Sequence, residues 1–169
     1  MDANGDTIWT RTYGGANYDE CGEVKQTKDG GYIILGYTLS FGAGSYDTWW
    51  IKTDSLGNTQ WAKTFGVNYS ERCYSVDELE NGGYVFSGIT TTSNDIDMYI
   101  VRTDSLGNEL WSRNGISVLS DAAYSIEQTF DGGFIVAGYV HKYATLMRLA
   151  PEDLMPSVTV LSPTGGEDV

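Results

Sequence analysis

The chain is poor in the residues that most often carry chemistry. It holds one histidine, His141, and two cysteines, Cys21 and Cys73, in 169 residues. That leaves no second histidine or cysteine pair for a transition-metal site, and too few cysteines for a disulfide framework. Basic residues are scarce as well: ten Lys and Arg stand against 23 Asp and Glu, a net charge of −13. Such a surface repels nucleic acid and anionic membranes, so neither is an expected partner. No apolar run is long enough to cross a membrane as a helix, and membrane insertion is not expected. No secretory leader opens the sequence. Met1 falls inside a repeat, as in a piece excised from a longer chain, so an extracellular or cell-surface location is expected with its signal outside this sequence.

What the chain does have is glycine and tyrosine, 21 and 12 residues, within a composition that is 41% hydrophobic. That is enough apolar surface for one core, and it favours short strands joined by tight turns. The stretch Lys52-Thr53-Asp54-Ser55-Leu56-Gly57-Asn58-Thr59-Gln60-Trp61 returns as Arg102-Thr103-Asp104-Ser105-Leu106-Gly107-Asn108-Glu109-Leu110-Trp111, and a worn copy ends at Trp9. The tryptophans are spaced by 52 and 50 residues, and Gly36, Gly88 and Gly138 keep that spacing, as do the Gly-Gly pairs at 30, 82 and 132. Agreement among three sets of landmarks marks a true internal repeat.

Each unit reads as four strands. Alternation and turn residues place them at 23–27, 32–38, 49–53 and 59–65, at 75–79, 84–90, 98–103 and 109–113, and at 125–129, 134–140 and 144–149. Residues 7–13 match 59–65 and read as an additional, half-exposed strand. Four strands in about 50 residues is the make-up of a propeller blade. The expected fold is therefore all-β: three four-stranded antiparallel blades, at roughly 14–65, 66–113 and 114–150, with 7–13 as a closing outer strand. Three blades are fewer than the roughly four to eight that close a ring. Half of a six-bladed ring completed by a homodimer, or part of a larger propeller, is expected. The prolines, Pro151, Pro156 and Pro163, all lie in 151–169, which reads as a linker and the start of a truncated immunoglobulin-like module.

The pattern Thr-Asp-Ser-Leu-Gly-Asn-x-x-Trp, followed by Asp-Gly-Gly-Tyr-Ile-x-x-Gly-Tyr-Thr and Tyr-Asp-x-Trp-x-Ile-Lys-Thr-Asp, resembles repeats of secreted bacterial and archaeal β-propellers. These are similar in style to the tryptophan-docking repeats of quinoproteins. The resemblance covers residues 2 to about 150. It implies a propeller module of a surface protein and brings no catalytic residue with it. The turn is one residue shorter than in quinoprotein repeats and lacks their threonine before the glycine, so no quinone site is implied.

Long loops at one end of the blades are the expected binding surface, since loops on a rigid scaffold carry most binding residues. Tyr18, Asp19, Tyr46, Tyr69, Glu71 and Asp95 combine aromatic faces with carboxylate acceptors there, a composition suited to glycan or peptide contacts, although ordinary solvated loop residues would look the same. Trp9, Trp61 and Trp111 are expected to pack between blades. Lys52, Arg102 and Arg148 form a column expected to pair with the acidic turns. No cofactor is expected; calcium at Asp2, Asn4 and Asp6, or at Asp95 and Asp97, is the alternative, weakened by the missing glycine and distal glutamate of a calcium loop. Cys21 and Cys73 are equivalent positions, expected as free thiols. Asn68-Tyr69-Ser70 fits a glycosylation acceptor. The chain thus reads as a non-catalytic scaffold or binding platform for glycans or proteins. The alternative is a fragment of a propeller enzyme, a quinoprotein-like dehydrogenase or a glycosidase.

Overall fold

A computed structural model of the chain describes residues 3–43, 45–66, 70–91, 95–117 and 119–151. Among them every regular element is a strand. The first sheet is β1 (Asp19–Gln26), β2 (Tyr32–Thr38), β3 (Asp47–Thr53) and β4 (Thr59–Phe65). The second is β5 (Ser70–Glu78), β6 (Tyr84–Thr91), β7 (Ile96–Thr103) and β8 (Glu109–Asn114). The third is β9 (Asp121–Gln128), β10 (Phe134–Val140) and β11 (Tyr143–Leu149). Each is an antiparallel meander with its strands in chain order, so the chain is all-β and built of blade-like sheets.

Two cores join the sheets. Ile33, Leu35, Trp50 and Phe65 of the first sheet meet Val76, Tyr84, Phe86, Tyr99 and Val101 of the second. Val85, Met98 and Ile100 of the second sheet then meet Ile126, Phe134, Val136, Met147 and Leu149 of the third. The alternation along β6 explains this: Tyr84 and Phe86 point to one neighbour and Val85 to the other, so the strand is apolar on both faces. Trp50 lies 4.3 Å from Phe86, ring centre to ring centre, and is wholly buried. Burying such an indole contributes about 3 kcal/mol.

The repeated glycines have a packing reason. β1, β5 and β9 each carry a β-bulge that skips Gly22, Tyr74 or Tyr124. At the bulge the first strand presses on the second: a Cβ on Gly36 would lie 2.0 Å from the Glu20 carbonyl oxygen, and one on Gly88 2.1 Å from that of Arg72. The bulge also breaks the two-residue alternation. For that reason β1, β5 and β9 begin at Asp19, Ser70 and Asp121, four or five residues before the starts expected from periodicity.

The Asp-Ser-Leu-Gly-Asn stretch is the β3–β4 turn and, repeated, the β7–β8 turn. Asp54 accepts hydrogen bonds from the Leu56 and Asn58 amides, both 2.8 Å, and from the Asn58 side chain, while Gly57 takes a φ of 76°. Asp104, Leu106, Asn108 and Gly107 repeat the arrangement. Only glycine adopts that backbone without strain. The cation column braces the opposite hairpins. Lys52 Nζ contacts Asp29 at 2.8 Å and donates to the Thr53 carbonyl, Arg102 donates to Asn81, and Arg148 pairs with Asp131.

Among the described residues the third sheet holds the three strands expected within 114–150, and the closing outer strand expected from 7–13 does not join it. Residues 7–13 belong to no sheet and are largely exposed: among the described residues no strand edge pairs with them, although Trp9, Arg11 and Tyr13 lie against the first sheet at Tyr32 and Gly57. Trp9 is 38% exposed and meets Tyr32 edge-on at 6.0 Å; Trp61 and Trp111 pack against the two cores. The expected linker and immunoglobulin-like start lie, from residue 152 onward, outside the described residues, as does Asp2.

Candidate functional site

Tyr18 and Tyr46 come together at the loop end of the first two sheets, and β1, β2 and β5 add three residues to them. Tyr18 precedes β1 and stacks on Tyr37 of β2, with ring centres 6.5 Å apart; Tyr46 meets the same Tyr37 edge-on at 5.3 Å. The phenols of Tyr18 and Tyr37 both donate to Glu20 Oε2, each at 2.6 Å. Arg72, projecting from β5, lays its guanidinium over the rings of Tyr37 and Tyr46, 5.4 and 5.1 Å from their centres. Tyr46 is fixed by its bridge to Ser70 and by the Glu71 amide, which donates to its carbonyl.

The two phenols hold the Glu20 carboxyl below its ordinary value, aided by the Arg72 charge. The same bond drives the Tyr37 phenol up to about 12 and raises that of Tyr18. At neutral pH the group is therefore a carboxylate held by two phenols, beside a guanidinium stacked on aromatic faces. Such a cluster offers flat apolar surface, donors and an acceptor within one patch.

A second aromatic group continues the surface. Tyr74 of β5 lies 5.3 Å from Tyr124 of β9, which lies 5.9 Å from Tyr139 of β10. Tyr74 and Tyr124 are the bulge residues themselves, so the bulge that ruins the alternation is what presents these rings. They are 39% and 51% exposed. β5 joins the two groups, carrying Arg72 into one and Tyr74 into the other.

The carboxylates foreseen with the tyrosines are placed differently. Asp19 accepts from the Gly15 amide and the Ser40 hydroxyl, both at 2.8 Å, and from Thr38. Burial raises its pKa, but these bonds outweigh that and leave it lowered. Glu71 is 1% exposed and accepts from Thr90. Its counterpart Asp121 takes the Met98, Ile116 and Ser117 amides. These groups hold loops to strands. Asp95, just before β7, accepts from Ser120, which lowers its pKa, and from the Ile96 amide; its charge acts on Tyr139 of the second aromatic group, and no contact joins it to Tyr18 or Tyr46 among those described. Tyr69 lies outside the described residues.

Glu20 and Arg72 lie beside the expected loop residues but take on a role only through Tyr37, which falls in a strand expected to face the core. The signal that could have found them is the Gly36-Tyr37 pair, which recurs as Gly138-Tyr139. Cys21 and Cys73 are both free thiols; Cys73 is buried, its sulfur 3.0 Å from the Thr48 hydroxyl, and burial pushes its pKa well up. Among the described residues no group of three or more His, Cys, Asp or Glu is arranged to hold a metal ion. No protein-family model matches the chain, and no curated protein matches it.

Proposed function

We propose that the sheets are successive blades of a β-propeller and that the chain is a non-catalytic binding platform of a secreted or surface protein, taking a neutral oligosaccharide along its tyrosine surface. One observation carries the reading: the exposed Tyr18 ring and the half-buried Tyr37 and Tyr46 rings gather around a Glu20 carboxylate and the Arg72 guanidinium. Sugar rings offer apolar C–H faces that stack on aromatic rings and hydroxyls that need both donors and acceptors, and this patch supplies all three. The net charge of −13 argues against acidic polysaccharides and for neutral ones. Each internal repeat of sheet on sheet supports the propeller reading, as do the order of strands and the two-sided burial of the middle strands.

An array of neutral oligosaccharides (gluco-, manno-, xylo- and chito-oligomers), probed with the labelled chain, tests the reading. Binding that Arg72→Ala abolishes supports it. Uniform failure across the array, or uptake of a quinone cofactor, would overturn it in favour of a scaffold or an enzyme fragment.

A further inference from the structure

The same sheet-on-sheet contact occurs twice within the chain, and both of its halves are displayed again at the two ends. On the face of the second sheet that meets the first, Val76 and Phe86 are 0% exposed. Their counterparts in the first sheet are Val24, 60% exposed, and Ile34, half-buried. On the opposite faces Trp50 is 0% and Ile100 1% exposed, each covered by the sheet that follows it. Their counterpart in the third sheet, Leu146, is 62% exposed, and the neighbouring Ala137 is exposed where Leu35 and Ser87 are buried.

Hydrogen bonds between sheets repeat as well. Glu23 accepts from the Val76 amide at 2.5 Å, and Ser75 from the Ile126 amide at 3.4 Å. Glu78 accepts from the Lys28 amide at 2.8 Å, and Gln128 from that of Glu80 at 3.1 Å. One more step of this series would bring Ser125 to a Val24 amide and Gln26 to a Phe130 amide.

The N-terminal segment supplies the third observation. Trp61 meets Tyr84 at 5.9 Å and 65°, and Trp111 meets Phe134 at 6.1 Å and 69°. Trp9 meets Tyr32 at 6.0 Å and 64°. Trp61 and Lys63 close over Gly107, and Trp9 and Arg11 close in the same way over Gly57. Residues 7–13 thus already occupy the place of a fourth strand in a sheet that would precede the first. β9–β11 is a sheet with three strands among the described residues.

We propose that a second copy of this chain covers both ends: residues 7–13 of each copy pair with β11 of the other, and each first sheet stacks on the other's third sheet. This rests on the reading of the sheets as blades, not on oligosaccharide binding. β3 pairs with β4 as Lys52 opposite Trp61 and Trp50 opposite Lys63, and β7 pairs with β8 as Arg102 opposite Trp111 and Ile100 opposite Arg113. The corresponding register between copies sets Arg148 opposite Trp9, Leu146 opposite Arg11 and Thr145 opposite Thr12. The contact is head-to-tail, and such an interface either closes a ring or propagates. Three sheets per copy close as a ring of six, within the size range of known propellers.

Light scattering of the 169-residue chain at micromolar concentration and physiological salt is expected to give twice the 18.5 kDa chain mass. Leu146→Arg, which charges the exposed face and leaves both internal cores untouched, is expected to give a monomer with unchanged circular dichroism. Cysteine pairs test the register itself. Residues opposite each other on antiparallel strands lie about 4.5–5.5 Å apart at Cα, within disulfide reach. In a Cys21→Ser background, Thr12→Cys mixed with Thr145→Cys is therefore expected to form a disulfide-linked heterodimer. A monomeric parent chain, open-ended larger assemblies, or a dimer in which this pair does not cross-link would each overturn the proposal. A dimer that binds no oligosaccharide removes only the binding reading, and a monomer that binds one removes only this inference.

Discussion

Trp61 of β4 stands edge-on to Tyr84 of β6, in the next sheet, with ring centres 5.9 Å apart and planes at 65°. The indole rests on the first core and closes over the Gly107 turn, so a residue at one sheet's outer edge locks its neighbour in place. Trp61→Ala removes that contact and opens a cavity at the edge of the core. A loss of about 2–3 kcal/mol is expected, read as a lowered midpoint in denaturant unfolding, with any oligosaccharide affinity unchanged. An unchanged midpoint with lost binding would contradict the packing role.

Gly88→Ala tests the bulge. The new methyl would sit 2.1 Å from the Arg72 carbonyl oxygen and 2.6 Å from the Cys73 Cα, both backbone atoms that cannot swing aside. Overpacking of this kind costs about 3 kcal/mol. Thermal melts are expected to show a far larger drop than for Gly82→Ala, where no atom lies closer than 3.9 Å and the φ of 83° supplies the penalty of about 1 kcal/mol.

The Lys52–Asp29 pair gives stability a pH signature. Hydrogen bonds from Lys52, then from Thr27 and Gly31, bring the Asp29 carboxyl from 3.8 down to about 2. A lowered folded-state pKa means the contribution is fully present above about pH 4 and is lost as the pH falls toward 2. The Asp29 side chain is 54% exposed, so solvent screening reduces the effect to about 1 kcal/mol. Lys52→Met is therefore expected to narrow its stability gap to the parent chain by about that amount between pH 5 and pH 2. A gap constant across that range would show that the pair contributes through packing alone.

Much of the strand layout was legible because its landmarks are local. Gly36 and Gly88 mark close backbone approach, Gly57 and Gly107 a left-handed turn, and Trp61 and Trp111 an inter-sheet contact, so each can be read without knowing its neighbours. The starts of β1, β5 and β9 were not legible, because the bulge residues Gly22, Tyr74 and Tyr124 shift the alternation by one. The candidate surface was half legible. Tyr18 and Tyr46 stand out as loop aromatics, whereas Glu20 and Arg72 gain their meaning only when β1 and β5 lie side by side. Asp19 and Glu71 have the right chemistry for a ligand, but whether a carboxylate faces outward or its own loop depends on tertiary packing.

The tyrosine surface makes a separable prediction. Tyr37 is the ring that Tyr18, Tyr46 and Arg72 share, yet it is only half-buried and lies outside both cores. Tyr37→Ala is expected to cost about 1 kcal/mol of stability while removing the ring that holds Tyr18, Tyr46 and Arg72 in one patch, and Tyr37→Phe, which keeps the ring and loses the bond to Glu20, is expected to retain part of the affinity.

The most direct measurement is a calorimetric titration of the strongest neutral oligosaccharide from the array into the parent chain, Tyr37→Ala and Arg72→Ala, with each variant's melt recorded alongside. The account predicts binding by the parent chain and a loss of roughly tenfold or more in both variants, equivalent to about 1.4 kcal/mol each, with melts close to the parent. Equal affinity in all three proteins, or no binding by any, would contradict it.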